Sequence, residues 1–438
     1  MRIDRLEIEN FKKYARQAFD FHPKFTLLVG DNGAGKTTVL DALSVAMAVW
    51  LVHPPDHKLL TSRRKILRSE IRLGGRVEGD RIQFRDMPPA SVKATGSIAG
   101  QEGKQWIRIN SGNDYDNNSD AKEVLGMIES AYSRDRVGEK LLFPVLAYYG
   151  AGRAWLPSNR RSKGKVRFTG PARRWGAFYD CFNERIRTAE LQDWFLGETL
   201  ASVNRRGLMR PGFETVKRAV LNCVPEANNL WYDTDLKQVV LSIGGGAQPF
   251  DNLSAGQRMM LALVADLAIK AVTQNAFLLP PEELGQEDQP LPRVLKETPG
   301  VVLIDELDVH LHPKWQRRVA TDLKNTFPGI QFICTSHSPQ VIGEVMPEEV
   351  RFLDHDQVVT PSRTFGIDSD RVLDELMDGA SSRNQGVRDK LSELAEAINQ
   401  EDFPRSEQLL REVEEILGEN DPEVTHYRTL ISFLRATP

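Results

Sequence analysis

Long apolar runs are missing from this 438-residue chain, and so are clustered cysteines and any strong excess of one charge. No uninterrupted apolar stretch approaches the ~18 residues needed to cross a bilayer as a helix. The nearest candidate, Val39 to Val52, is too short. No basic segment followed by an apolar core opens the sequence, so neither a secretory leader nor a membrane span is expected. The three cysteines, Cys181, Cys223 and Cys334, are scattered without metal-ligand spacing. That excludes a disulfide framework or a zinc cluster and points to reduced thiols in a cytoplasmic setting. A formal net charge of −4 excludes a globally basic nucleic-acid binder, yet the charge is uneven. Residues 366–438 carry 8 Lys and Arg against 17 Asp and Glu, whereas the rest of the chain carries 49 against 44. No fixed-period repeat is present. The length suits two or three domains, or one large domain with insertions.

What the chain does have begins at Leu27-Leu28-Val29-Gly30-Asp31-Asn32-Gly33-Ala34-Gly35-Lys36-Thr37-Thr38. Apolar residues run into a glycine-rich loop, which opens onto the helix-like Val39-Leu40-Asp41-Ala42-Leu43. This is the G-x-x-x-x-G-K-[ST] pattern in the strand–loop–helix setting that gives it meaning. Glycines let the backbone wrap around phosphate oxygens, so N–H groups and the positive helix end face the anion. Asn32 through Thr38 are therefore expected to bind a nucleoside triphosphate. Lys36 would reach its β/γ-phosphates, and the Thr37 hydroxyl would hold Mg²⁺.

A second acidic constellation lies about 265 residues further on. Val301 to Ile304 is a continuous apolar strand of the kind buried in a parallel sheet, and it ends in Asp305-Glu306. Open α/β sheets bind ligands at the carboxyl ends of their strands. Asp305 is expected at the metal, and Glu306, on the other side of the strand end, at the attacking water. Gln331 to Thr335 reads as another buried strand. Trp175 to Leu200 and Phe213 to Cys223 read as helices, and Leu279 to Pro299 as a proline- and acid-rich surface insertion. Three amphipathic helices follow Phe365, near 385–399, 404–417 and 422–434.

Between the two acidic and glycine-rich blocks, Leu253-Ser254-Ala255-Gly256-Gln257 resembles the signature motif of ABC-type ATPases. In that family the signature completes the ATP site of the opposite subunit, so Ser254, Gly256 and Gln257 are expected to contact nucleotide across a dimer. The resemblance also makes Asp308 the D-loop aspartate and His337 the switch histidine, a catalytic partner of Glu306. His310 and His312 flank Leu311 and are read as interface or capping residues rather than metal ligands.

The opening Met-Arg-Ile-Asp-Arg-Leu-Glu-Ile-Glu-Asn-Phe is similar to that of RecF/SMC/Rad50-like ATPases. With no heptad coiled coil between the halves, a compact RecF-like or OLD-like head is expected. A closer resemblance is carried by Val145 to Trp155, by Ile304 to Gln316 and by Thr364 to Asp368. These segments look like the PtuA-type ATPases of Septu and retron phage-defence systems, which work beside a separate HNH nuclease, PtuB. Tyr149 to Arg153 stands where relatives carry a Q-loop, without the glutamine. No TOPRIM-like acidic cluster follows His337.

The expected fold is therefore α/β: an ABC-type P-loop ATPase head with a helical insertion and an α-helical C-terminal extension. Residues 1–170 and 231–365 would form the head, 171–230 the insertion and 366–438 the extension. The implied function is ATP hydrolysis with Mg²⁺, in a homodimer or higher oligomer joined through its ATP sites that scaffolds a partner nuclease. The alternative is a RecF-like repair ATPase acting on DNA itself. The basic stretches Lys58–Arg76 and Ser158–Arg174 are the candidates for DNA or RNA contact.

Overall fold

A computed structural model describes residues 1–53, 64–79, 81–112, 119–154, 174–178, 180–279, 291–354, 357–376 and 384–436. The chain divides into two compact units, Met1–Ile367 and Asp368–Pro438.

The first unit is organised on a six-stranded sheet in the order Gln357–Val359, Val350–Asp354, Phe25–Val29, Ile330–Thr335, Gly300–Ile304, Val145–Tyr149. All its pairings are parallel except that of the edge strand Gln357–Val359. The four strands FTLLV, IQFICT, GVVLI and VLAYY are buried along their whole length, as a sheet covered on both faces requires. Register fixes the site: Ile304 lies level with both Cys334 and Tyr149, and Thr335 with Leu28. The segments leaving these strands therefore emerge at one edge.

A second sheet is antiparallel, in the order Tyr14–Asp20, Arg2–Phe11, Ala90–Ile98, Gln101–Asn110. Ala90–Ile98 alternates strictly between buried and half-buried residues, the pattern of a strand with one face in the core. The helix Lys36–Met47 packs against both sheets, and all but two of its residues are buried. Its environment is closed by Trp106, whose indole N–H donates to the Ala46 carbonyl at 3.0 Å, and by Tyr132, whose hydroxyl donates to the Trp50 carbonyl at 2.7 Å. A three-stranded antiparallel sheet spans Ala227–Asp233, Gln238–Ile243 and Gly246–Pro249. Helices Thr188–Val203 and Pro211–Cys223 pack against the long helix Ala255–Gln274, which also covers strand Val145–Tyr149.

The structure departs from the sequence expectation after Trp175. Only Arg174–Phe178 forms a short 3₁₀ turn, and the helix begins at Thr188. The intervening backbone serves the edge of the main sheet: Cys181 and Glu184 carbonyls accept from the N–H groups of Tyr148 and Gly150 at 2.8 and 3.0 Å. A helix there would have left that edge unpaired. The described arginines of the stretch Lys58–Arg76 divide between inward-facing and exposed ones, Arg76 being exposed. Arg64 turns inward and grips the buried Glu70 carboxylate at 2.7 and 2.8 Å, and Arg68 pairs with Asp86. Residues 58–63 and 158–173 lie outside the described residues, as do residues 280–290 of the expected surface insertion.

The second unit contains helices Ser369–Leu376, Gln385–Asn399, Phe403–Leu417 and Pro422–Ala436. The last three share a core of Leu391, Leu394, Ile398, Leu409, Val413, Val424 and Ile431. Asn384 and Asp402 cap two of them, each accepting a backbone N–H of the first turn. Among the described residues no helix is long and apolar enough to cross a membrane.

Candidate functional site

The loop between strand Phe25–Val29 and helix Lys36–Met47 owes its path to glycine. Gly30, Gly33 and Gly35 have φ of 147°, 83° and 101°, a region that side chains disfavour. At Gly35 a Cβ would also stand 2.4 Å from the Tyr14 hydroxyl oxygen. The loop is braced from outside by the turn after the first strand. Lys13 Nζ donates to the Ala34 carbonyl at 2.7 Å, and the Tyr14 hydroxyl donates to the same oxygen at 2.9 Å. Lys36 is 7% exposed and donates to the carbonyls of Gly30 and Asp31 at 2.6 and 2.9 Å. Burial lowers its pKa from the ordinary lysine value, opposed by the nearby Asp305, Asp31 and Glu306 carboxylates.

Thr37 and Asp305 are 268 positions apart in the chain, yet the Thr37 hydroxyl donates to Asp305 Oδ2 at 3.0 Å. Thr335, from the neighbouring strand, donates to Asp305 Oδ1 at 2.7 Å and accepts the Glu306 N–H at 2.7 Å. One threonine therefore orders both acids. His337 follows two residues later, and its pKa is lowered by burial and then by the Lys36 charge. The Asp308, Glu306 and Asp31 carboxylates oppose that shift.

A cavity of about 400 Å³ unites these groups, lined by Lys12, Lys13, Asn32, Gly33, Gly35 to Thr38, Asp305, Glu306, Thr335 and His337. Backbone donors at a helix start, a lysine and paired hydroxyl and carboxylate oxygens suit a triphosphate and a hard divalent cation. The Thr37 hydroxyl and the Asp305 carboxylate, already in contact, are the oxygens that would hold Mg²⁺. Among the described residues no group of three His, Cys, Asp or Glu could hold a metal by itself. His312 instead caps helix Pro313–Thr326, its ring nitrogen accepting the Lys314 N–H at 3.3 Å.

Besides Ala34 within the loop itself, four expected site residues are absent from the cavity lining. Asp308 accepts from the Ser336 hydroxyl at 2.6 Å. Ser254 and Gln257 form a reciprocal capping box at the start of helix Ala255–Gln274, with Ser254 exposed. Gly256 packs so closely on the His310 carbonyl that a Cβ would come within 2.4 Å of it. The sequence reading missed Lys13, Tyr14, Thr335 and Arg153. Arg153 is buried behind the two acids and donates to the carbonyls of both Asp305 and Glu306. Its signal was a lone arginine after Gly150-Ala151-Gly152 at a buried strand end.

Comparison with known proteins agrees with this geometry. The AAA domain family matches residues 5–192, and a family described as "AAA domain, putative AbiEii toxin, Type IV TA system" matches residues 242–343. The chain is 25% identical to the Retron Ec83 probable ATPase of Escherichia coli, over 87% of this chain and 77% of that protein. It is 23% identical to Septu protein PtuA of Bacillus mycoides strain KBAB4, over 80% of this chain but only 40% of that one. Among solved structures, an SMC head bound to the C-terminal winged-helix domain of ScpA aligns with 16% identity and a TM-score of 0.48, over 83% of this chain and 98% of the other. With a P-loop and an apolar strand ending in Asp305-Glu306 meeting at one sheet edge, and AAA-domain matches on both halves of the chain, this protein is similar to the AAA-type P-loop ATPases.

Proposed function

We propose that this ATPase is the nucleotide-driven switch of an anti-phage defence system, closing as a dimer on ATP and controlling a partner nuclease. The observation that carries the reading is the placement of the signature turn. Ser254 is exposed and lies outside the cavity that holds Lys36, Asp305 and Glu306, so it is available to a second copy. Similarity to the retron Ec83 and PtuA proteins supports the defence role.

In this reading the P-loop amides and Lys36 hold the β- and γ-phosphates, and the facing subunit's signature helix presents its own N–H donors to the same anion. Thr37 and Asp305 would hold Mg²⁺, which when bound would supply positive charge against that developing on the phosphoryl group. Glu306 accepts the proton of the attacking water, and a ring N–H of His337 donates toward the γ-phosphate. Phosphoryl transfer of this kind needs positioning and electrostatic stabilisation more than covalent help. Closure of two copies supplies both, which ties dimerisation to hydrolysis.

Glu306→Gln keeps the shape of the side chain and removes its basicity. It is expected to lower turnover by roughly 100-fold or more and to accumulate an ATP-bound dimer, seen by light scattering on a sizing column. Unchanged turnover in that variant would remove Glu306 from its assigned role. Lys36→Ala is expected to abolish nucleotide binding measured by calorimetry. A nuclease that co-purifies with the ATP-bound form supports the defence reading. ATPase stimulation by DNA alone, with no partner, favours a RecF-like repair role instead.

A further inference from the structure

Arg153 is an expensive residue in its place. It is 5% exposed; the Asp305, Glu306 and Asp308 carboxylates act on its charge, but none of its hydrogen bonds among the described residues goes to them. Burying a guanidinium is costly unless its donors are matched. Here the matching is done wholly by backbone carbonyls: Nη1 donates to Gly150 at 3.0 Å and to Asp305, and Nη2 donates to Glu306 at 2.8 Å. Nε has no hydrogen-bond partner among the described residues. An apolar side chain would fill this space more cheaply, so the charge and the fork of donors need a reason.

The reason lies in the backbone they hold. Asp305 N–H makes the last bond of the strand, to the Tyr149 carbonyl at 2.8 Å, and Leu307 N–H turns back to the Thr335 carbonyl at 2.8 Å. Glu306 is the single residue between these two fixed points, and it has φ of 51°. A non-glycine residue in this left-handed region is there because its surroundings impose it. That conformation turns the carbonyls of Asp305 and Glu306 toward one planar guanidinium, while Thr335 holds the Glu306 N–H from the other side. The direction of the Glu306 Cα–Cβ bond, and so the aim of its carboxylate into the cavity, follows from this arrangement.

We propose that Arg153 is a positioning residue for hydrolysis: by gripping two successive carbonyls it holds Glu306 in its left-handed turn and aims the carboxylate at the attacking water. It stands in the segment that would otherwise carry a Q-loop glutamine, but its donors face the backbone and not the cavity. Lysine cannot replace it, because an ammonium lacks the planar fork that spans two carbonyls. The inference rests on Glu306 as the base, and the test separates the two.

Steady-state turnover and nucleotide affinity are compared for the full chain and for Arg153→Lys, Arg153→Ala and Glu306→Gln. Both Arg153 variants are expected to lose about 100-fold in kcat, the scale of a roughly 1 Å misplacement, with ATP affinity within about threefold of the parent. Millimolar methylguanidinium is expected to restore part of the Arg153→Ala turnover, and methylammonium none. Parent-like kcat in Arg153→Lys overturns the fork argument. Equal losses in affinity and kcat, or no rescue by methylguanidinium, overturn the positioning role. Should Arg153→Ala fail to fold, Arg153→Lys decides alone through its split between kcat and affinity. If Glu306→Gln turns over like the parent, the reading of Glu306 fails; if it is inactive while Arg153→Lys is unimpaired, only the inference about Arg153 fails.

Discussion

Individual side chains in this site are held by a few short bonds, and that makes them separable by substitution. Thr335→Val keeps the shape of a fully buried residue and removes both the donor to Asp305 and the acceptor for Glu306 N–H. An unsatisfied buried partner costs about 1–3 kcal/mol, so this variant is expected to unfold at a lower temperature and to require more Mg²⁺ for half-maximal turnover. The cysteines give a second check. Burial pushes the Cys181 and Cys223 thiols up to about 12 and raises that of Cys334 further. None of the three is expected to react with iodoacetamide at pH 7.5 until the chain is unfolded, as mass spectrometry would show. His337 sets a pH dependence. Its folded pKa is lowered, so below the ordinary histidine value of about 6.5 the unfolded chain takes up the proton first. The stability it contributes is complete above that value and is lost as the pH falls beneath it. His337→Gln is therefore expected to flatten the decline of Tm between pH 7.5 and 5.5 relative to the parent.

At the scale of elements, the start of helix Ala255–Gln274 packs directly on the His310 carbonyl, a few residues after the acidic strand end. Gly256→Ala must push the start of helix Ala255–Gln274 away from that carbonyl. We expect nucleotide binding by the monomer to be kept and ATP-driven dimerisation to weaken by about tenfold or more, measured by sedimentation over a concentration series. Most elements were legible beforehand, because their patterns are local. Val301 to Ile304 is apolar without a break, Gly30 to Thr38 has fixed spacing, and the C-terminal helices repeat every three to four residues. The segment from Cys181 to Arg187 was not legible, since its aromatic neighbours have helical spacing and its actual partner is the edge of a distant strand. Arg153 and Thr335 escaped for the same cause: each is ordinary in its own neighbourhood and acquires its role only from a turn brought in from far along the sequence.

On the scale of the molecule, the chain is an ATPase head, Met1–Ile367, and a helical unit, Asp368–Pro438, that has its own core of leucine, isoleucine and valine. A protein ending after Ile367 is expected to keep ATP affinity within about threefold of the full chain by calorimetry. Loss of binding would place part of the nucleotide site beyond that boundary. Within the head, strand order separates neighbours in space from neighbours in sequence, as the 268 positions between Thr37 and Asp305 record. While the polypeptide is being synthesised, the phosphate loop leaves the ribosome long before the strand that carries its acids, and Thr335 follows later still. A nascent chain thus cannot grip or consume ATP until nearly the whole head has been made, so the same threading that builds the catalyst also keeps unfinished copies silent.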